Sequence, residues 1–334
     1  MSGKEFRRKL HRAFGEIKAT REIAKYTSWG EAINSFRAKI DIQIMCRNGL
    51  QEPENVKRRL LKKHATTLNY FERKYKYYWE NYNLPKMEEA PENLRNKIWV
   101  CWWQGIENAP QIVKNCLASI AANCKDYEII EMTLENYLDY VSFPPVILEK
   151  FHNGQITKTQ FSDLLRMNLL SRYGGMWLDS TLLATGDISE YMQMELWSVK
   201  RPDYLHVSIT MGRFTGYAIS CRYENRWIFR PVFDFMCHYW THNNMMVDYF
   251  LFHYAVVLSM KMFPEMNNLF ELIPPNNPDN DELLKLMPQI FDEKMWERLK
   301  SDTRLFKLTW KSSYPMTVNG QPTFYGKLMS GELI

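Results

Sequence analysis

The stretch Ile156–Asp187, ITKTQFSDLLRMNLLSRYGGMWLDSTLLATGD, constrains this chain more than any other. It reads as a capped helix, a glycine turn, a short buried strand and a carboxylate where that strand ends. Thr157 followed by Gln160 is a capping box, in which each side chain satisfies a free backbone N–H at the helix start. Phe161, Leu164, Leu165, Leu169 and Tyr173 recur at helical spacing, which buries one face. Gly174-Gly175 stops the helix, because glycine takes the left-handed cap conformation at little cost. Met176, Trp177 and Leu178 then form an apolar strand with Asp179, Ser180 and Thr181 at its carboxyl end, the edge at which open α/β sheets bind ligands. Asp163 and Arg166 share a helical face. The pattern predicts a site containing Asp163, Arg166 and Asp179. Taken singly, these residues read as a solvated helical ion pair and a turn aspartate; their co-occurrence around the Gly-Gly turn favours the site.

The neighbouring sequence extends the same α/β pattern. Lys97–Trp103, KIWVCWW, reads as a buried first strand ended by Gln104-Gly105. Pro110 suits the first turn of a helix running to about Ala122. Tyr127–Met132 is a second strand, with Thr133 a cap for the helix after it. Strand–helix–strand–helix in this order implies a parallel sheet with right-handed crossovers. Trp102 and Trp103 fall on opposite faces by alternation, so one lines a site and the other joins the core. Pattern does not choose between them. Further on, Tyr204–Thr210 and Thr215–Ser220 suggest strands. Pro231–Trp240, Met246–Met260 and Glu282–Lys300 suggest helices, and Ile273–Asp281 a polar loop. Asp248 and His253 stand on an apolar helix, where a histidine is ordinarily a hydrogen-bonded core residue.

Residues 1–95 carry 21 Lys+Arg against 12 Asp+Glu, a local charge of +9 in a chain whose total is +5. Such asymmetry suggests a surface contact. Lys4–Ala24 places Phe6, Leu10, Phe14 and Ile17 at three-to-four spacing, and Trp29–Cys46 and Glu54–Tyr82 read as further helices. Two readings stand: a solvated helical hairpin packed on the main domain, or peripheral attachment to an anionic membrane. Nucleic acid is not expected as a partner, since no recognised motif accompanies the charge. A Pro/Glu-rich linker at Leu84–Pro91 divides a basic helical extension, 1–90, from a domain over 96–334. Hydrophobic content of 46% with 14% aromatics excludes a disordered chain. No apolar run reaches the roughly 18 residues of a membrane span. The charged start MSGKEFRRKLHRAF lacks an apolar signal core, so the expectation is a cytoplasmic protein, peripheral at the inner face of the plasma membrane if the helices bind lipid. Six scattered cysteines, with no C-x-x-C, read as reduced thiols, and zinc is not expected.

The run FSDLLR–x6–YGGMWLDST over Phe161–Thr181 resembles the core signature of the family 32 glycosyltransferases and their capsular-polysaccharide-synthesis relatives, roughly SD-x-x-R, then GG, then an aspartate motif. WVCWWQG at Trp99–Gly105 resembles that family's nucleotide-binding first strand. The similarity covers about residues 96–190 well and the last 30 or so loosely. It implies a GT-A-like (Rossmann-like), mostly parallel sheet flanked by helices, with a nucleotide-binding core over about 96–200 and an acceptor part over about 201–334. It implies transfer of a sugar from a nucleotide sugar, a UDP-sugar foremost, to a saccharide or lipid-linked acceptor in capsular or surface polysaccharide synthesis, with retention.

Carried over by position, Asp163 would accept hydrogen bonds from sugar hydroxyls and Arg166 would reach the sugar or its phosphate. Trp177 would flank the nucleotide, Trp102 or Trp103 would be the uracil platform, and Lys311 and Ser312 would meet the diphosphate. The family's Mn²⁺ or Mg²⁺ sits on a D-x-D motif, whose first Asp corresponds to Asp179 and whose second falls on Thr181. A hydroxyl is a weaker ligand for these cations than a carboxylate. Either Asp179 with the diphosphate suffices, or Asp187 or Asp248 contributes, or the enzyme depends less on metal. No side chain stands out as a covalent nucleophile, which favours a front-face route with the leaving phosphate as base. The competing readings are a catalytically silent nucleotide-sugar-binding protein of the same fold and a basic membrane adaptor.

Overall fold

A computed structural model describes residues 3–202 and 204–334, with side chains from residue 13 onward. The basic amino-terminal stretch forms α1 (Gly3–Ala24), α2 (Trp29–Arg47), α3 (Glu54–Lys74) and a short α4 (Lys76–Asn81). A capping box between Ser28 and Glu31 starts α2. Of the apolar face expected on α1, Phe6 and Leu10 lie outside the described side chains. Phe14 and Ile17 are exposed, and the helix buries Ala19 and Ile23 instead.

These helices do not stand apart from the rest. Ile23, Ala32, Tyr70 and Phe71 belong to the same continuous apolar cluster as the central sheet. Phe71 packs against Phe235, Tyr239 and Tyr254. His64 hydrogen-bonds the Tyr254 hydroxyl and the His206 carbonyl, each at 2.8 Å. Lys63 lies 2.7 Å from Asp248, both fully enclosed, an ion pair by distance without the angles of a hydrogen bond. The boundary near residue 90 therefore marks a change of composition, not a break in packing.

The sheet begins with β1 (Ile98–Cys101), followed by α5 (Gln111–Asn123), β2 (Ile129–Met132), α6 (Tyr137–Tyr140), α7 (Pro145–His152) and α8 (Lys158–Tyr173). Then come β3 (Gly175–Asp179), β4 (Leu182–Ala184), α9 (Ser189–Gln193), β5 (Leu196–Ser198) and β6 (Ala218–Cys221). The chain continues through α10 (Arg230–His242), α11 (Leu251–Met262), α12 (Pro264–Leu272), α13 (Glu282–Leu286), α14 (Glu293–Asp302) and β7 (Leu305–Lys307). It closes with β8 (Thr317–Val318), β9 (Gln321–Pro322) and α15 (Phe324–Met329).

The central sheet has the order β2-β1-β3-β6-β5. β2, β1 and β3 are parallel; β6 runs against β3, and β5 against β6, so β6 alone points the other way. The result is a mixed α/β fold whose sheet is mostly parallel, with helices packed against it. The Thr157/Gln160 box opens α8 as the sequence predicts. Gly175, at φ 84°, is required: a Cβ there would lie 2.2 Å from the Lys97 carbonyl, where β1 begins beside β3.

Several expectations need correction. Tyr204–Thr210 forms turns, not a strand, because Met211 and Gly212 take left-handed φ of 48° and 79° and close the loop onto Arg201. The second strand shifts to β6, and β5 is an addition. The helix after β2 starts beyond Asn136, whose carboxamide accepts from the Thr133 N–H. Residues 246–250 stay out of α11, since Asp248 accepts from the Phe250 N–H in a local turn. The helix expected over Glu282–Lys300 breaks into α13 and α14 around Pro288, which has no N–H to continue it.

Candidate active site

The site grows from the carboxyl end of β3. Parallel register sets Asp179 opposite Cys101 of β1, and α8, running back to the Gly174-Gly175 turn, lays Asp163 and Arg166 over the same end. Arg166 Nη1 donates to Asp163 Oδ1 at 2.7 Å, and Nη2 to Asp179 Oδ1 at 3.3 Å. The guanidinium thus bridges the two carboxylates that the sequence put on adjacent elements. Its carbon lies 4.9 Å from the Trp177 ring and 5.4 Å from the Phe252 ring. Arg166 Nε is buried with no hydrogen-bond partner among the described residues. Trp177 Nε1 donates to Asp179 Oδ1 at 2.9 Å.

A second cation arrives from far along the chain. β7 pairs antiparallel with β4, Lys307 opposite Leu182, and Lys307 Nζ donates to Asp179 Oδ2 at 2.7 Å and to Thr181 Oγ1 at 2.9 Å. The ammonium stands 5.2 Å from the ring centre of Tyr217, whose hydroxyl donates to Asn280. Tyr217 and Gly216 reach the site because β6 runs antiparallel and starts at this end of the sheet, where the Tyr217 carbonyl accepts from the Asp179 N–H.

The two carboxylates are driven apart. Burial pushes Asp179 up, but the charges of Lys307 and then Arg166 outweigh it and hold the acid below its ordinary value. Asp163 is raised by burial, with Arg166 only partly offsetting this. Asp179 is thus the firmly ionised member and Asp163 the more basic one, a difference of environment between two chemically identical groups. Cys101 beside them is pushed up by burial and then by Asp179, so its thiol is no nucleophile.

The remaining expected residues divide. Trp103 turns inward among Tyr137, Phe151 and Phe161 and donates its indole N–H to Ser162 Oγ at 2.8 Å; it offers no face to a ligand. Trp102 is half-buried, edge-on to Trp310 at 5.6 Å, with its indole N–H enclosed and without a partner among the described residues. Trp177 is only 2% exposed, so it orients Asp179 and supports Arg166, and presents no flank to a nucleotide. Lys311 and Ser312 lie exposed on the loop after Trp310, making no hydrogen bond or ion pair with the cluster. Asp187 is an exposed turn residue accepting from the Ser189 N–H, and Asp248 is committed to Lys63. Burial lowers His253 to about 3, and its Nδ1 is bonded to Ser208, so it is a neutral core histidine.

Asp179 and Thr181 do not fit a divalent cation as they stand. The single carboxylate already carries two fixed cations, and the Thr181 hydroxyl accepts from one of them. A doubly charged ion there would meet two like charges and lack the oxygen ligands it prefers. Among the described residues no group of three or more His, Cys, Asp or Glu side chains is placed to hold a metal.

Sequence reasoning missed Lys307, Tyr217 and Phe252, and the exposed Tyr249. The Tyr249 pKa is raised by desolvation and then by the charges of Asp163 and Asp179. Lys307 had one faint signal, a lone cation closing the apolar pair Leu305-Phe306. Surface cavities of about 640 Å³, one beside Arg201 and Asn276 and another beside Tyr75 and Tyr82, hold none of the cluster residues.

A family model described as capsular polysaccharide synthesis protein matches residues 47–328. Among solved structures, the chain is similar to the PaToxG glycosyltransferase, with 15% identity over 53% of this chain and 76% of that one and a TM-score of 0.35. It is also similar to the WbbM bifunctional glycosyltransferase without ligand, with 10% identity over 95% of this chain and 70% of that one and a TM-score of 0.41. Likenesses this distant carry no argument about the chemistry of this chain. No curated protein matches it.

Proposed function

The chain belongs to the capsular polysaccharide synthesis protein family; from that premise we propose that it is a glycosyltransferase, moving a sugar from a nucleotide sugar, a UDP-sugar foremost, to a saccharide or lipid-linked acceptor, with retention. The observation that carries this reading is Asp179, kept ionised between Lys307 and Arg166 at the carboxyl end of β3, with Asp163 on the other arm of the same guanidinium.

Departure of a nucleoside diphosphate is chiefly an electrostatic problem, answered by preorganised cationic donors in a partly dry site. Arg166 and Lys307 are such donors, and each is oriented by a carboxylate before any ligand arrives. The unpartnered Arg166 Nε supplies a donor that neither carboxylate uses. Asp163 and Asp179 accept from hydroxyls of the donor sugar, the raised basicity of Asp163 favouring that bond. The Trp102–Trp310 pair is the platform for the base, where stacking is worth about 1–3 kcal/mol. With Cys101 protonated and both aspartates held by cations, transfer goes by the front face. The C1–O bond to the diphosphate breaks, the acceptor oxygen bonds to C1 on the same side, and the acceptor's proton passes to the leaving phosphate oxygen.

The amino-terminal helices have a part in the same reading. The outward face of α2 carries Trp29, Ile33, Arg37, Ile40, Ile44 and Arg47, all exposed, at spacings that keep them on one stripe, while Ala32, Ser35, Ala38 and Met45 face inward. Apolar residues interleaved with arginines suit an anionic bilayer surface such as the cytoplasmic leaflet. Among the described residues no helix is long and apolar enough to cross a membrane.

Asp179→Asn and Arg166→Lys test the site. Transfer from a UDP-sugar is expected to fall by about 10²-fold or more, with circular dichroism and melting close to wild type. Wild-type turnover in either variant rejects the assignment.

A further inference from the structure

Lys307 Nζ touches Asp179 Oδ2 and Thr181 Oγ1, the two side-chain oxygens that a metal ion bridging this pair of positions would bind. We propose that Lys307 stands in place of the divalent cation: its ammonium is the fixed positive charge that meets the donor's diphosphate, and this chain binds and uses a nucleotide sugar without metal. The inference rests on the transferase reading above and assigns the cation that the reading requires.

Three observations support it. First, Lys307 is held by backbone on both sides: its own N–H donates to the Asn280 carbonyl at 2.8 Å, and the Leu308 N–H donates to the Thr181 carbonyl at 2.9 Å. The β4–β7 pairing therefore fixes the backbone from which the ammonium reaches Asp179 and Thr181. Second, the valence count leaves room for ligand. An ammonium has three N–H donors; Asp179 and Thr181 take two, and the third meets no acceptor among the described residues, on a lysine side chain that is 25% exposed. Third, the residue at 181 matches a lysine and not a metal. A hydroxyl accepts from the ammonium without neutralising it, whereas a second carboxylate would cancel the charge offered to the phosphates. Thr181 and Lys307 thus form one device: Asp163 and Asp179 already match Arg166 and Lys307 in charge, and a second carboxylate at 181 would turn the cluster negative where the diphosphate arrives.

The test uses the full chain, calorimetric titration of UDP in EDTA or in Mn²⁺, and Mn²⁺ titration followed by electron paramagnetic resonance. The expected result is equal UDP affinity in both buffers and no stoichiometric Mn²⁺ site, with or without UDP. Lys307→Met should weaken UDP by about tenfold or more, the loss of one hydrogen bond to a charged group, and Lys307→Arg should restore most of it. The double variant Thr181→Asp/Lys307→Met should gain a UDP-dependent Mn²⁺ site, a readout that also shows the variant to be folded. UDP binding that requires Mn²⁺ and is lost in Asp179→Asn overturns this inference and leaves the transferase reading intact. Wild-type UDP affinity in Lys307→Met overturns it as well. Failure of UDP, GDP and ADP to bind in either buffer overturns both.

Discussion

Gly216 shows how tightly the cluster is built. A Cβ at that position would lie 2.6 Å from Phe252 Cε1 and 3.0 Å from Arg166 Nη1, so the guanidinium and the ring that supports it share the space that the missing side chain leaves. Gly216→Ala should displace Arg166 by a few tenths of an ångström and lower turnover by roughly tenfold or more, since a misplacement of about 1 Å can cost about 10²-fold. Melting should move little. An unchanged kcat/KM would mean that the position of Arg166 does not matter to the reaction. Residues of this kind explain what the sequence disclosed. Asp163, Arg166 and Asp179 were legible because one helix, one turn and one short strand fix their relation within a contiguous stretch. Lys307 was not, because 128 residues separate it from Asp179 and only the β4–β7 register joins them. Gly216 and Tyr217 were hidden for the same reason. Alternation separated Trp102 from Trp103, but the choice between them depended on Phe151 and Phe161, which no local pattern places.

Among the elements, those that carry their own start and stop signals matched expectation: α8 with its capping box and glycine pair, α2 with its Ser28–Glu31 box, and β1. Elements defined by distant partners did not, as with β5, β7 and the turns at 204–210. The element with the clearest unmet demand is α2, apolar on its outward face as well as its inward one. On vesicles containing about 30% anionic lipid the full chain should float at low salt, since a basic residue near such a surface contributes about 1 kcal/mol. Ile33→Glu/Ile40→Glu should reduce flotation severalfold without changing UDP binding. Equal recovery on neutral vesicles, or no effect of the double substitution, would show that lipid is not what this face meets.

At the scale of the whole molecule, the amino-terminal helices and the sheet domain are one packed body. The Lys63–Asp248 pair, the His64–Tyr254 bond and the Phe71 aromatic cluster tie α3 to α10 and α11, and the family match begins at residue 47, inside the region that composition alone set apart. The helix α11 that anchors α3 also supplies Phe252 behind Arg166, so the amino-terminal helices and the Arg166–Asp179 cluster rest on a common element. The central claim is that Arg166, Asp179 and Lys307 form the seat of a donor diphosphate. It is tested most directly by thermal melting of the full chain against a panel of nucleotide sugars, wild type beside Arg166→Ala. A ligand at about 100 times its Kd adds about 2.7 kcal/mol to the native state. The account predicts that at least one nucleotide sugar raises the wild-type Tm by several degrees and leaves that of Arg166→Ala unmoved. An equal rise in both proteins, or no rise with any donor in the panel, would contradict it.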